Sequence, residues 1–391
     1  MVQVTSIESK FRRHRAGKYR TALLKRWLLL FSLWGLAGCH RHDPPNLSLA
    51  REELGHQLFF DTRLSFNNTK SCASCHNPAF AFSDGYRRSI TAGGEMTRRN
   101  APSLLNVSYH HFLNWADSTV VSLEQQHRQP LFADAPPELG LGGNEEKIIS
   151  RFKNNRRYSE LFRVAFPEQE DPFLAKNIIE AIAAYVRLLH SFASPYDRYI
   201  AGDSLALTGG EKAGMNLFLS ARTGCASCHP PPMFTLADRS SNPDSVFRNN
   251  GLYNIGDTGK YPVADPGLAL VSGKQTDDGR FKIPSLRNVA LTAPYMHDGS
   301  VGSMEEVLAI YEAGGRLINT GPDAGDGRKH PNKDRLLKGF TLTAEERLLL
   351  IDFLHALTDT TWRTDPRFRN PNRPGMLYGE NKKLSATDKH R

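Results

Sequence analysis

Cys72-Ala73-Ser74-Cys75-His76 and Cys225-Ala226-Ser227-Cys228-His229 are the same five residues, placed twice in a chain of 391. Cys-x-x-Cys-His is the attachment signature of c-type haem. The two thiols form thioethers to the porphyrin, and the adjoining histidine becomes an axial ligand to iron. A thioredoxin-type dithiol does not require the trailing histidine. Two cysteines and a histidine on one short turn do not complete a zinc tetrahedron without further ligands, and no other cysteine lies near either motif. The repeat therefore reads as two covalently bound haem c groups, one on Cys72, Cys75 and His76, the other on Cys225, Cys228 and His229.

The fifth cysteine has a different setting. Eight lysines and arginines between Lys10 and Arg26 precede an apolar run, Trp27 to Leu36, that is short for a membrane span. Leu36-Ala37-Gly38-Cys39 resembles a bacterial lipobox, where the chain is cut before the cysteine and the cysteine is acylated. Residues 1–38 read as a lipoprotein signal peptide and 39–48 as a polar tether. The alternative is an ordinary signal peptide with a free Cys39. Either places the protein outside the cytoplasm, where haem c is attached. The expectation is a periplasmic protein held to a membrane by lipid, the outer one because His40 rather than Asp follows Cys39.

Charge follows from that segment. Residues 1–38 carry eight basic residues and Glu8, a net +7 out of the chain's +9. The remaining +2 becomes about −2 with four haem propionates. The basic balance thus gives no support for nucleic-acid binding, and no nucleic-acid motif is present.

The rest is long enough for two domains. Glu53-Leu54-Gly55-His56-Gln57-Leu58-Phe59 precedes the first motif and Glu211-Lys212-Ala213-Gly214-Met215-Asn216-Leu217-Phe218 the second. Both set Gly and Leu-Phe at helical spacing. An apolar helix follows each motif at a distance, over 173–192 and 343–357. Strand signals are sparse. The prediction is a mainly α fold of two cytochrome c-like domains related by internal duplication. The first spans 49–204 and the second 205–363, with a polar tail at 364–391.

With these features in order, the chain resembles the bacterial di-haem cytochrome c peroxidase superfamily over nearly all of its mature length. The matching stretches are Leu58 to Ser65, Asn100-Ala101-Pro102-Ser103-Leu104, Asn114-Trp115-Ala116-Asp117, Glu138-Leu139-Gly140-Leu141-Gly142 and Ala293 to Gly299. Within it the chain is most similar to the MauG-like branch and its MbnH-like di-haem enzymes. The resemblance implies an enzyme that takes two oxidising equivalents from hydrogen peroxide.

It also implies roles. The His76 haem would meet peroxide, and Glu138 would move the proton that O–O cleavage needs. Gln126 and Pro130 match the other distal residues, although an interval one residue longer leaves Gln125 as a competitor. Residues 77–109 contain no histidine to close this haem. Trp115 would bridge the haems. Tyr311 would be the second axial ligand of the His229 haem, where conventional peroxidases place methionine. Ser303-Met304-Glu305-Glu306 reads as a capping box and Gly314-Gly315 as a helix end, which puts Met304, Val307, Leu308 and Tyr311 on one face. A calcium ion is implied on Asn100 and the carbonyls of Thr292 and Pro294.

Plainer readings stand beside these. Glu138 is a solvated loop carboxylate, Trp115 a core residue, Asn100 a turn residue, and Tyr311 a packed side chain with Met304 or Met296 as the ligand. The leading functional expectation is a high-valent bis-Fe(IV) oxidase acting on a residue of a partner protein, a tryptophan converted to kynurenine or a similar product. The rival is a cytochrome c peroxidase supplied with electrons by a small c-type cytochrome. A pure electron carrier would need two strong axial ligands on each iron.

Overall fold

The computed structural model describes residues 46–372. The expected signal peptide, Cys39, the expected tether up to 45 and the expected tail beyond 372 lie outside the described residues. Six helices carry the architecture: α1 (Leu47–Phe60), α2 (Leu123–Phe132), α3 (Ala175–Val186), α4 (Gly209–Leu219), α5 (Met304–Glu312) and α6 (Ala344–Ala356). The first begins inside the predicted tether because Asn46 caps it, its side-chain oxygen accepting from the Ser48 amide at 3.1 Å.

Two helix crossings organise the body. Helix α1 lies on α3 and α4 lies on α6. In the first, Gly55 rests on the Ala181 carbonyl beside Tyr185, and a Cβ there would overlap that oxygen. In the second, Gly214 rests on the Leu349 carbonyl beside Phe353 in the same way. The glycines noted in the sequence thus mark where two backbones come too close for a side chain. Leu58, Phe59 and Phe218 are buried behind them.

Capping follows the sequence. Thr208 and Thr343 form capping boxes with Glu211 and Glu346. Ser303 caps α5 by accepting from the Glu306 amide at 3.2 Å, while the Glu306 carboxylate accepts from Gly302 rather than from Ser303. Gly314 and Gly315 end the helix at φ +72° and +141°. Strands are few: Phe247–Asn249 pairs antiparallel with Arg280–Lys282, and Leu317–Ile318 with Gly325–Asp326.

The apolar interior gathers mainly behind α1 and α3 and behind α4, α5 and α6. Packing exchanges the ends of the two halves. Tyr196, before the expected boundary at 204, lies in the second core, 5.0 Å from the Phe234 ring. Trp362 and Phe368 lie in the first core. Residues 364–372 are therefore not an extended tail: Pro366–Phe368 makes a 3₁₀ turn that buries Phe368, and the Arg369 carbonyl accepts from His56 Nε2 at 2.6 Å. On α6, Leu350, Ile351, Phe353 and Leu354 are buried while Leu348 is exposed. Among the described residues no helix is long and apolar enough to cross a membrane.

Candidate functional site

Each Cys-Ala-Ser-Cys-His turn is a single tight coil. The His76 amide donates to the Cys72 carbonyl and the His229 amide to the Cys225 carbonyl, both at 2.9 Å. His76 Nδ1 lies 2.9 Å from the Phe82 carbonyl, and His229 Nδ1 lies 3.0 Å from that of Phe234 and 3.1 Å from that of Pro284. A carbonyl only accepts, so Nδ1 carries the proton and Nε2 keeps its lone pair. Burial holds both rings neutral, lowering His76 and bringing His229 to about 4. A neutral ring with an outer-sphere hydrogen bond is what an iron-binding imidazole needs.

The thiols agree with haem attachment and not with the alternatives. All four cysteines of the two turns are free. Burial pushes Cys72 up to about 12 and Cys75 and Cys228 to about 11, opposite to the lowered pKa of a redox dithiol. Among the described residues no cluster of three His, Cys, Asp or Glu side chains could hold a metal ion.

Both turns open on one cavity of about 520 Å³. Every predicted site residue within the described region lines it. On the His76 side stand Gln126, Pro130 and Glu138. Helix α2 supplies the first two at i and i+4, and the loop bearing Glu138 is tied to it by the Leu139 amide on the Pro130 carbonyl at 3.0 Å. Desolvation raises the Glu138 pKa, and its charge reaches Cys75. Gln125 is excluded as the distal glutamine: its side chain accepts from the Val121 and Ser122 amides at the helix start, facing outward. Gln126 accepts instead from Asn114 at 3.3 Å.

On the His229 side, Met304, Val307, Leu308 and Tyr311 of α5 all face the cavity. Burial pushes the Tyr311 phenol up to about 12, and Cys225 and Cys228 are near enough to add to that shift. Of the alternative ligands, Met296 has its sulfur 3.4 Å from Asn250 Nδ2, and Met304 packs into the second core.

Trp115 lines the same cavity. Its indole N–H donates to the Asn100 carbonyl at 3.0 Å, and its own carbonyl accepts from the Lys282 amide at 2.7 Å. Asn100 turns its amide nitrogen to the Tyr86 carbonyl at 2.9 Å. Asn100, Thr292 and Pro294 all line the cavity.

Several cavity residues escaped the sequence reading. His127 lies on the same α2 face as Gln126 and Pro130, lines the cavity and is near enough to His76 to feel its charge. The spacing Leu123, Gln126, His127, Pro130 was the available signal. His110 is buried with neither ring nitrogen bonded. The segment Pro102-Ser103-Leu104-Leu105-Asn106 recurs as Pro284-Ser285-Leu286-Arg287-Asn288, a repeat visible in the sequence. Ser103 Oγ donates to the Ala81 carbonyl and Ser285 Oγ to that of Met233, both at 2.6 Å.

Comparison with known proteins accords with this geometry. A family model described as di-haem cytochrome c peroxidase matches residues 49–205. The methylamine utilization protein MauG of Methylorubrum extorquens is 35% identical over 304 residues, covering 78% of this chain and 77% of its own. The cytochrome-c peroxidase IdrP1 of a Pseudomonas species is 34% identical over 324 residues, covering 78% and 80%. A crystal structure of a MauG-like protein associated with microbial copper homeostasis superposes with a TM-score of 0.80 at 41% identity, over 87% of this chain and all of that one. Two histidine turns on one cavity, with such relatives over most of the length, place this chain in the di-haem cytochrome c peroxidase family of peroxide-dependent oxidoreductases.

Proposed function

We propose that this protein uses hydrogen peroxide to oxidise a residue of a partner protein, a tryptophan by preference, withdrawing two electrons per peroxide. The observation that carries this reading is Tyr311. Its phenol lines the cavity on the His229 side, near enough to Cys225 and Cys228 to feel their charge, and a hard anionic ligand would favour higher iron charge.

Cys72 with Cys75 and Cys225 with Cys228 would hold two haem c groups, which would supply peroxide cleavage and storage of the oxidising equivalents. His76 and His229 present Nε2 to them. Glu138 takes the proton from the near peroxide oxygen and returns it to the departing one. Gln126 and Pro130 shape that pocket, and Trp115 connects the two sides. Asn100 with the carbonyls of Thr292 and Pro294 would hold calcium beside Trp115. Cys39 would carry the lipid that tethers the protein on the periplasmic side of the outer membrane. The matched crossings at Gly55 and Gly214 and the repeated Pro-Ser-Leu-x-Asn segment support an origin by duplication.

One observation favours the alternative, a cytochrome c peroxidase fed by a small c-type cytochrome. His127 stands on the distal face of the first site, where a histidine would close the iron. The test is to add peroxide to the fully oxidised protein without reductant and record the near-infrared spectrum. A charge-resonance band that disappears in Trp115→Phe supports the proposal. A resting low-spin first haem that becomes high-spin in His127→Ala, with no reaction before reduction, selects the alternative.

A further inference from the structure

Lys282 is buried on the cavity wall, 7% exposed, with its ammonium 5.9 Å from the Trp115 ring centroid. No hydrogen bond or ion pair to its Nζ is present among the described residues. The other basic residues of this wall are provided for. Arg222 holds Glu346, Arg248 holds Asp334 and Arg287 holds Asp197, while Lys70 is part exposed and Lys338 exposed. A buried ammonium without a counter-ion is costly. Burial alone lowers the Lys282 pKa to about 8. His110 stands close enough to feel that charge and is itself buried, with both ring nitrogens unbonded. Two unsatisfied nitrogen-bearing side chains thus meet on the wall that Trp115 shares with both histidine turns.

We propose that Lys282, with His110 beside it, receives a haem propionate carboxylate against the face of Trp115, and that this ion pair sets how readily the indole is oxidised. The inference rests on the two-haem reading of the cavity. An unpaired cation over an indole attracts its electrons and opposes their removal. A carboxylate on the same ammonium cancels that opposition. Lys282 would then bind the cofactor and also keep Trp115 usable as a conduit.

The test compares Lys282→Met and Lys282→Arg by haem content and by a redox titration that resolves the two haems. Two haems per chain in each variant keep the underlying reading intact, and loss of haem from the parent preparation would remove it. With haem retained, Lys282→Met should lower one midpoint by about a tenfold change in the reduction equilibrium, about 59 mV for one electron. Lys282→Arg should stay near the parent. The haem that moves identifies whose propionate is held. Unchanged midpoints in Lys282→Met, or equal shifts in both variants, overturn the proposal. Should Lys282→Met not take up haem, the infrared carboxylate bands of the parent and Lys282→Arg decide. A shifted, ion-paired propionate band in the parent supports the pairing, and a band at the position of a free carboxylate overturns it.

Discussion

The His76 and His229 sites are alike behind the histidine and unlike in front of it. Behind, the carbonyl that receives Nδ1 belongs to a phenylalanine in the left-handed region, Phe82 at φ +59° and Phe234 at φ +53°. A hydroxyl on the next residue fixes each turn, Ser83 on the Ala101 carbonyl and Thr235 on that of Ile283, both at 2.7 Å. In front, one site carries Glu138 and Gln126, and the other carries Tyr311 among apolar neighbours. The shared wall does what any haem-binding histidine requires. Under the proposed function, the opposite wall decides whether a site handles protons or holds charge.

Four measurements bear on that division. The largest effect is expected at the proton-handling wall. Glu138→Gln should slow the peroxide reaction by roughly 10²–10⁴ in stopped-flow traces, leaving the His229 spectrum unchanged. Burial raises the Glu138 pKa above its ordinary 4.5, and the carboxylate must be ionised to accept a proton. The parent rate should therefore fall as pH drops through that raised value, and this acid limb should be missing from Glu138→Gln. Equal spectral change at both haems would dissolve the contrast.

Next comes the charge-holding wall. Tyr311→Met should raise the midpoint of the His229 haem by on the order of 100 mV, within the roughly 0.8 V that axial ligands span. A spectroelectrochemical titration that finds no shift would return the ligand to Met304 or Met296. The helix crossings should respond alike. Gly55→Ala and Gly214→Ala each force a Cβ onto a backbone carbonyl and should cost about 1–3 kcal/mol in thermal unfolding, whereas clearly unequal losses would mean that one crossing relaxes. Smallest are the serine clamps. Ser103→Ala and Ser285→Ala should each lose about 1 kcal/mol, and the double variant should lose their sum if the halves are energetically separate.

The common wall was largely legible in the sequence and the distinguishing wall only in part. Local rules found the helices, because Thr343, Thr208 and Ser303 cap by their own side chains and Gly314-Gly315 can continue no helix. Tyr311 was named by the family resemblance, with which helix periodicity agreed. Gln126 could not be separated from Gln125 until the helix start was seen to engage Gln125. His110 and Lys282 carry no local pattern, since each is defined by what a distant segment fails to offer it. The exchange of Tyr196 and Trp362 between the two cores is equally invisible in one dimension, because burial there depends on where the far end of the chain returns.

That return has a consequence for the order in which the molecule can be completed. Trp362 and Phe368 pack their rings against Phe82, 5.9 and 6.2 Å between centroids, and the Phe82 carbonyl is what orients His76. Synthesis proceeds from the N-terminus, so α1, the His76 turn and α3 all emerge long before the two rings that close over Phe82. The earlier of the two sites is thus the one left ajar, and its histidine acquires its final bearing only after residues 362–368 have been made.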